Sequence, residues 1–227
     1  MIEFGHASHA GLRREHNEDT YWADAEAGLF LVADGMGGHG RGEVAAAIAR
    51  DAVVDAARAG HDLDAAIRAV GKVIAGQARQ ATGLPPMGTT LAVLQVDHTG
   101  FHAHRVGDSR ILLWHQAQLT PIDDGEPQRA EAEGEDARVP RRNRATQALG
   151  ITPSGDLCAE PVAGTVERGM QFLMCSGGLI EAIGEPAIAG VLARTGLAAQ
   201  ECVDHLVLAA LAAGGRDNIT VLLLRIV

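Results

Sequence analysis

The chain has few cysteines, no long hydrophobic run and no excess of positive charge. Its three cysteines, Cys158, Cys175 and Cys202, are widely and irregularly spaced among 227 residues, and this spacing matches neither a disulfide framework nor a Cys-x-x-Cys metal motif. A reducing compartment is therefore favoured, and we expect a cytoplasmic protein. No stretch approaches the roughly 18 apolar residues of a membrane-spanning helix, and the first residues lack the apolar core of a signal peptide. The sequence predicts no membrane association.

The charge balance argues against nucleic acid as a partner. The chain has 29 acidic and 19 basic residues, which gives a net charge of -10. A protein that binds nucleic acid non-specifically carries the opposite charge over a large face. The length favours a single domain spanning residues 1–227, since domains average about 150 residues. We also expect a monomer.

Short apolar runs and alanine-rich segments predict a mixed fold. The runs are typical of buried strands, which we predict at 29–33, 89–96, 101–106, 110–114, 170–175 and 219–227. The turn residues 97–100 predict a hairpin between two of them. Apolar residues recur at helical spacing in 43–59, 63–81 and 198–213. Because the strands form a block with hairpins and the helices come in pairs, we expect a layered α+β domain.

The segment from Pro121 to Arg144 differs from the rest of the chain. It is dense in charged residues, proline and glycine and has little apolar content, so it cannot bury a core of its own. It is either a surface excursion or a lid next to a functional site.

Acidic residues stand at the ends of several predicted strands. Asp34 follows the strand at 29–33, Asp108 follows the strand at 101–106, and Asp217 precedes the last strand. Glu18 and Asp19 form a further acidic pair. Oxygen ligands held on rigid strands suit Mg²⁺ or Mn²⁺. The glycine-rich turn after Asp34 lacks the lysine and hydroxyl residue of a phosphate loop, so it is weak evidence for a nucleotide site.

Six motifs, in order along nearly the whole chain, resemble those of the PPM family of metal-dependent protein serine/threonine phosphatases, also called type 2C, in its compact bacterial form. They are GLRREHNED at 11–19, VADGMGGH at 32–39, GTTL at 88–91, VGDSR at 106–110, ALG at 148–150 and GGRDNITV at 214–221. An ordered set of this length is far more specific than any single glycine motif.

The resemblance implies a four-layer α-β-β-α sandwich, in which two antiparallel sheets are flanked by helix pairs, with two Mn²⁺ or Mg²⁺ ions in a cleft between the sheets. By motif match, the metal residues are Glu18, Asp19, Asp34, the carbonyl of Gly35, Asp108 and Asp217. Asp34 would bridge both ions, and Asp108 would serve a third, weaker ion. Arg14 would hold the substrate phosphate and His39 is a candidate proton donor, with a turn histidine as the alternative. The residues at 121–144 occupy the position of the family's flap.

The implied chemistry is hydrolysis of phosphoserine or phosphothreonine in proteins, the targets of a Ser/Thr kinase. Two ions that share a carboxylate lower the pKa of a bound water and orient it for in-line attack, and the planar guanidinium of Arg14 suits a phosphate. No protein nucleophile is required.

One position departs from the family pattern. The family usually has Ser-Asp-Gly-Leu where this chain has Ser176-Gly177-Gly178-Leu179, so a carboxylate that would bind ions is missing. Glu181, one helical turn further on, is not expected to replace it. The chain is then an active enzyme with a compensated, weaker site, a pseudophosphatase that binds phosphoproteins as a regulator, or a variant with an engineered glycine.

Two histidine pairs raise a separate possibility. His6 with His9, and His102 with His104, could form a transition-metal site, but such pairs without a third ligand are more often surface residues.

Overall fold

Two antiparallel sheets form the centre of the fold. The computed structural model describes residues 1–38, 40–80, 83–122, 147–157, 159 and 161–227. The strands are β1 (Ile2–His9), β2 (Asp19–Asp24), β3 (Leu29–Met36), β4 (Gly88–Thr89), β5 (Leu91–Val96), β6 (Phe101–Val106), β7 (Arg110–His115), β8 (Gln118–Pro121), β9 (Val162–Gly164), β10 (Gln171–Cys175) and β11 (Ile219–Ile226). One sheet has five strands in the order β1-β11-β10-β7-β8, and the other has six, in the order β2-β3-β5-β6-β9 with β4 paired to β3.

Two pairs of helices cover the outer faces of the sheets. They are α1 (Arg41–Arg58), α2 (Leu63–Gln80), α3 (Gly177–Leu192) and α4 (Ala199–Ala212). One apolar core lies between β3 and β5 on one side and α1 and α2 on the other. A second core lies between the five-stranded sheet and the helices α3 and α4. A third contains Phe30 and Leu94 of one sheet with Phe172 and Leu222 of the other, so the sheets pack face to face.

Alternation along the strands produces these layers. In β3, Phe30 and Val32 point into the core between the sheets, whereas Leu29 and Leu31 point toward α1 and α2. Successive side chains of a strand point to opposite faces, and a strand buried on both faces becomes an uninterrupted apolar run. The expected α+β sandwich of four layers is therefore confirmed.

Several predicted bounds were wrong by a few residues. The strand predicted at 89–96 is divided into β4 and β5, because the amide of Asp34 donates to the Thr90 hydroxyl at 3.1 Å and Thr90 lies between the two strands. The strand at 29–33 continues to Met36, and α1 begins at Arg41 after Gly40, whose φ of 72° is left-handed. The predicted hairpin is present, with β5 paired to β6.

In the described part of the chain, none of the helices has both the length and the apolar character that crossing a membrane requires. Most of the segment predicted as a flap, residues 123–144, lies outside the described residues.

Candidate active site

Carboxylates from distant parts of the sequence meet at one end of the sandwich. Asp19 begins β2 and lies directly opposite Asp34 of β3 in the antiparallel register. The pKa of the Asp34 carboxyl is raised, first by burial and then by the negative charges of Asp19, Asp108 and Asp217. Each of these charges acts on Asp34 because it is close by, so four predicted metal residues share one electrostatic environment.

One carboxylate oxygen of Asp19 is buried without a hydrogen bond among the described residues. Its Oδ2 accepts a hydrogen bond of 2.7 Å from the hydroxyl of Thr220, but its buried Oδ1 has no hydrogen-bond partner among the described residues. Burial is also the main reason that the pKa of Asp19 is raised. A buried carboxylate oxygen without a partner is costly, and a proton or a cation at this point would satisfy it.

Asp108 lies in the turn after β6. The residue is exposed, but partial desolvation raises the pKa of its carboxyl, and the positive charges of Arg110 and Arg105 oppose that rise. Its carboxylate carbon lies 3.5 Å from the position that a Cβ atom on Gly177 would occupy. The turn that carries Asp108 therefore faces the first residue of α3.

The carboxylate of Glu18 lies at the N-terminus of α1. Its Oε1 accepts a hydrogen bond of 3.2 Å from the amide of Gly42, where the helix dipole favours a negative charge. Its backbone oxygen accepts a bond of 3.1 Å from the amide of Gly35. A Cβ atom on Gly35 would come within 2.6 Å of that oxygen and 2.2 Å of the Gly42 carbonyl oxygen. Close packing thus accounts for glycine at 35, while the predicted metal contact of its carbonyl stays a prediction.

Arg14 contacts the cluster directly. Its Nη2 atom donates to Oδ2 of Asp217 at 2.9 Å, and the two side chains are 53% and 34% exposed. The hydrogen bond to Asp217 and the charge of that carboxylate raise the pKa of Arg14. The predicted phosphate-binding cation therefore neutralises a predicted metal ligand in this structure.

The acidic cluster does not by itself form a complete cage for an ion. Among the described residues, no group of three or more His, Cys, Asp or Glu side chains is arranged so that it could hold a metal ion. This does not conflict with the donor chemistry, because Mg²⁺ is commonly bound by one or two carboxylates and keeps several waters. With the unpartnered Oδ1 of Asp19 and the raised pKa of Asp34, the residues present fit a hydrated divalent cation.

Gly177 and Gly178 differ in the space that surrounds them. A Cβ atom on Gly178 would lie 2.0 Å from the backbone oxygen of Asn218, whereas one on Gly177 would make only ordinary contacts, the nearest with Asp108 at 3.5 Å. Packing therefore demands glycine at 178 and does not demand it at 177. Glu181 is exposed and lines a pocket of about 220 Å³ together with Asp217.

Motif analysis based on acidic residues missed the polar residues that support them. The hydroxyls of Thr90 and Ser109 are 2.6 Å apart and buried, and Thr90 holds the backbone of Asp34. Asn218 and Thr220 bind the segment that carries Glu18 and Asp19. All four lie inside the motifs at 88–91, 106–110 and 214–221, so their place in those motifs was the available signal.

Two remaining predictions concern histidines. His39 lies outside the described residues, so its role as a proton donor stays a prediction. His104 is buried with Nδ1 3.2 Å from the carbonyl oxygen of Ala159, whereas His102 is exposed. The ring of His6 packs against that of Tyr21, with their centroids 4.7 Å apart. These contacts favour ordinary packing and surface roles over a transition-metal site.

Comparison with known proteins identifies serine/threonine phosphatases as relatives of this chain. The family profile of protein phosphatase 2C matches residues 7–210. Serine/threonine protein phosphatase PstP of Mycobacterium tuberculosis is 33% identical over 237 residues, which cover 100% of this chain and 45% of PstP. The chain therefore spans less than half the length of that relative. Serine/threonine phosphatase stp of Listeria monocytogenes is 30% identical over 233 residues, which cover 94% of this chain and 91% of stp.

Solved structures show the same architecture. The catalytic domain of PstP, solved in complex with two manganese ions, superposes with a TM-score of 0.83 at 31% identity and covers 100% of this chain and 98% of that one. PppA of Pseudomonas aeruginosa superposes with a TM-score of 0.82 at 28% identity, covering 99% and 97%.

Proposed function

The chain belongs to the protein phosphatase 2C family, and from this premise we propose that it hydrolyses phosphoserine and phosphothreonine in proteins with Mn²⁺ or Mg²⁺. The observation that carries the proposal is the cluster of Asp19, Asp34, Asp108 and Asp217, with Arg14 bound to its edge. Three neighbouring carboxylate charges raise the pKa of Asp34, and such a cluster is unfavourable for a structural role alone. Divalent cations would remove that repulsion.

We assign the ligand roles according to the family motifs. The two ions would be held by Asp34, the carbonyl of Gly35, Asp217, Glu18 and Asp19, directly or through water. When bound, the ions supply the Lewis acidity that activates water at neutral pH. The unpartnered Oδ1 of Asp19 and the proximity of Asp34 to three other carboxylates support this assignment.

Arg14 would bind the substrate phosphate. In the structure its guanidinium is occupied by Asp217, and a cation on Asp217 would take over that neutralisation. The planar donors of Arg14 would then be available for two phosphate oxygens as charge develops on them. The large exposed fraction of the side chain, 53%, is consistent with contact to an incoming phosphoprotein. His39 remains the candidate donor of a proton to the leaving oxygen.

The glycine at 177 weakens this site without excluding activity. Loss of even an outer hydrogen-bond partner of a metal ligand typically costs about 10- to 100-fold in affinity or activity, and loss of a ligand should cost at least as much. The third ion, at Asp108, would be affected most, because Asp108 is the carboxylate nearest to Gly177. The pseudophosphatase alternative is not favoured, since the relatives are named as phosphatases.

The proposal is tested by hydrolysis of p-nitrophenyl phosphate and of a phosphothreonine peptide in Mn²⁺. We expect turnover that is lost with EDTA, restored by Mn²⁺, and absent in Asp34→Asn. Metal-independent turnover, or peptide binding without turnover at saturating Mn²⁺, would contradict it. The physiological substrates would be targets of a Ser/Thr kinase, and a cytoplasmic location, a single domain and a monomeric state remain predictions from the sequence.

A further inference from the structure

The connection between β1 and β2, residues 10–18, carries two proposed functional groups on an exposed segment. Residues 12–16 are all exposed, and Arg14 and Glu18 belong to this connection. A phosphate-binding arginine is effective only if its position is maintained, because misplacement by about 1 Å can cost 10²-fold in rate. Something must therefore hold the connection against the rest of the site.

Asn218 makes three of the contacts that hold it, besides the hydrogen bond of 2.6 Å from the Leu12 amide to the Gly215 carbonyl oxygen. Its Oδ1 accepts a hydrogen bond of 2.9 Å from the amide of Glu18. Its Nδ2 donates to the carbonyl oxygens of Ala10 at 3.0 Å and His16 at 2.9 Å. One side chain thus binds both ends of the connection and the residue two positions after Arg14. Asn218 is only 6% exposed, so these bonds are shielded from water.

The backbone of Asn218 also contacts Asp217 and Gly178. Its amide donates to Oδ1 of Asp217 at 2.9 Å, and its carbonyl oxygen lies against Gly178, where no side chain would fit. Asn218 therefore contacts Asp217 directly and holds the connection that carries Arg14, the other partner of that ion pair.

Only an amide of this length meets all three requirements. Asparagine offers one carbonyl acceptor and two N–H donors, and all three are used here. Aspartate has the same shape but no donor, so it would place a carboxylate oxygen against the carbonyl oxygens of Ala10 and His16. Alanine would leave the Glu18 amide and both carbonyls without these partners.

We propose that Asn218 is a positioning residue of the active site, which sets the placement of Arg14 for phosphate and of Glu18 for the metal by clamping the connection between β1 and β2. This inference rests on the proposed phosphatase function. It assigns to the asparagine next to Asp217 a role in substrate affinity that is separate from its contribution to folding.

The kinetic test uses Asn218→Asp and Asn218→Ala, with Gln171→Ala as the matched control. Gln171 is also a buried amide, which donates to Leu192 O at 3.1 Å and accepts from Arg225 at 2.8 Å, but it lies at the opposite end of β10 from Ser176 and the site. We expect both Asn218 variants to raise KM for a phosphothreonine peptide by about tenfold or more. The control should lower thermal stability while KM stays unchanged.

A double-mutant cycle with Arg14→Ala separates positioning from general damage. If Asn218 acts through Arg14, its substitution has little left to disturb once that guanidinium is absent. We expect the combined loss in kcat/KM to fall short of the product of the single losses by about fivefold or more. Losses that multiply fully would overturn the positioning role.

A readout independent of catalysis is trypsin cleavage after Arg13 or Arg14 in the Mn²⁺-loaded protein, measured by mass spectrometry. We expect cleavage there to accelerate in both Asn218 variants and not in Gln171→Ala. Unchanged cleavage in both variants would refute the clamp. If the unsubstituted protein shows no turnover, the phosphatase proposal fails, and trypsin cleavage still decides whether Asn218 holds the connection.

Discussion

At the scale of single residues, the two glycines that begin α3 have opposite tolerance for a side chain. Gly178 packs on the backbone oxygen of Asn218 and leaves no room for a Cβ atom, whereas a Cβ atom on Gly177 would have 3.5 Å to its nearest neighbour, the carboxylate of Asp108. A side chain at 177 would therefore project toward the acidic cluster. Packing permits a side chain at 177, so the effect of the residue at that position depends on whether it supplies a ligand oxygen.

We predict that Gly177→Asp raises Mn²⁺ affinity and phosphatase rate, each by about tenfold or more. The added carboxylate would stand beside Asp108 and supply the oxygen ligand that glycine lacks. Titration of Mn²⁺ by calorimetry and initial rates with p-nitrophenyl phosphate would measure both effects. Gly177→Asn is the matched control, because it has the same size without the charge. Equal metal affinity in the Asp and Asn variants would show that position 177 contributes no ligand.

The carboxylate of Asp34 lowers the stability of the metal-free protein. Its pKa is raised by burial and by three neighbouring carboxylates, so its ionised form destabilises the metal-free fold. We expect Asp34→Asn to abolish turnover and to stabilise the metal-free protein by on the order of 1 kcal/mol. Thermal unfolding in EDTA measures the second effect, with Asp51→Asn, at an exposed helical carboxylate, as the control. A lower melting temperature for Asp34→Asn would contradict this account.

At the scale of elements, the start of α1 is built around Glu18. A Cβ atom on Gly42 would lie 2.7 Å from both the Glu18 carboxylate and the backbone carbon of Gly35. The carboxylate could rotate away, but the backbone of β3 could not. The helix therefore docks on β3 only because a glycine occupies its first turn.

We predict that Gly42→Ala destabilises the protein by about 1–3 kcal/mol and weakens Mn²⁺ binding, because Glu18 is displaced. The control is Gly76→Ala in α2, where an added Cβ atom meets nothing within 4 Å and alanine should stabilise the helix by about 0.5–1 kcal/mol. Urea denaturation and metal titration of both variants provide the test. If the two substitutions have the same sign of effect on stability, the proposed packing around Glu18 is wrong.

The elements that could be predicted are those with a single strong pattern. The strand at 29–33 and β11 are buried on both faces, so their sequences are continuous apolar runs. The edge strands β1 and β2 were not identified, because they are mostly half-buried and their sequences lack that pattern. The helix α3 was not delimited, since Gly184, with a φ of 69°, and Pro186 interrupt it. The local sequence pattern indicates which segments are buried, whereas β1, β2 and α3 are defined by their tertiary contacts.

The candidate site was predicted in its acidic residues and missed in its polar supports. Asp34 and Asp217 stand out in sequence because they border buried strands. Asn218 and Thr220 do not, because a buried amide or hydroxyl acquires its meaning only from partners about 200 residues away in the chain. The pairing of Arg14 with Asp217 could not be read from sequence either, since it requires the two ends of the chain to meet.

At the scale of the whole molecule, the acidic cluster joins the two sheets. Asp19 belongs to the six-stranded sheet and accepts its hydrogen bond from Thr220 of the five-stranded sheet. Asp34 is in the six-stranded sheet, and Asp217 immediately precedes β11 of the five-stranded sheet. Any ion shared by Asp34 and Asp217 would therefore bridge the halves of the sandwich, so that metal affinity and global stability become linked.

This linkage predicts a stabilisation by Mn²⁺ that grows with pH. The pKa values of Asp19 and Asp34 are raised, in each case chiefly by burial. A carboxyl whose pKa is raised on folding contributes stability that is fully present below its unfolded pKa of about 3.9 and is lost as pH rises through the folded pKa. With folded pKa values of about 6 for Asp19 and about 9 for Asp34, the metal-free protein should therefore lose stability from these groups between about pH 4 and about pH 9. Mn²⁺ binds the ionised form, so its stabilising effect is largest where the metal-free fold is weakest.

Melting temperatures in EDTA and in Mn²⁺ across this pH range would measure the stabilisation by Mn²⁺, which we expect to increase with pH and to be smaller in Asp34→Asn. A difference that stays constant with pH would mean that these carboxylates do not hold the ions, because binding would then release no protons from them.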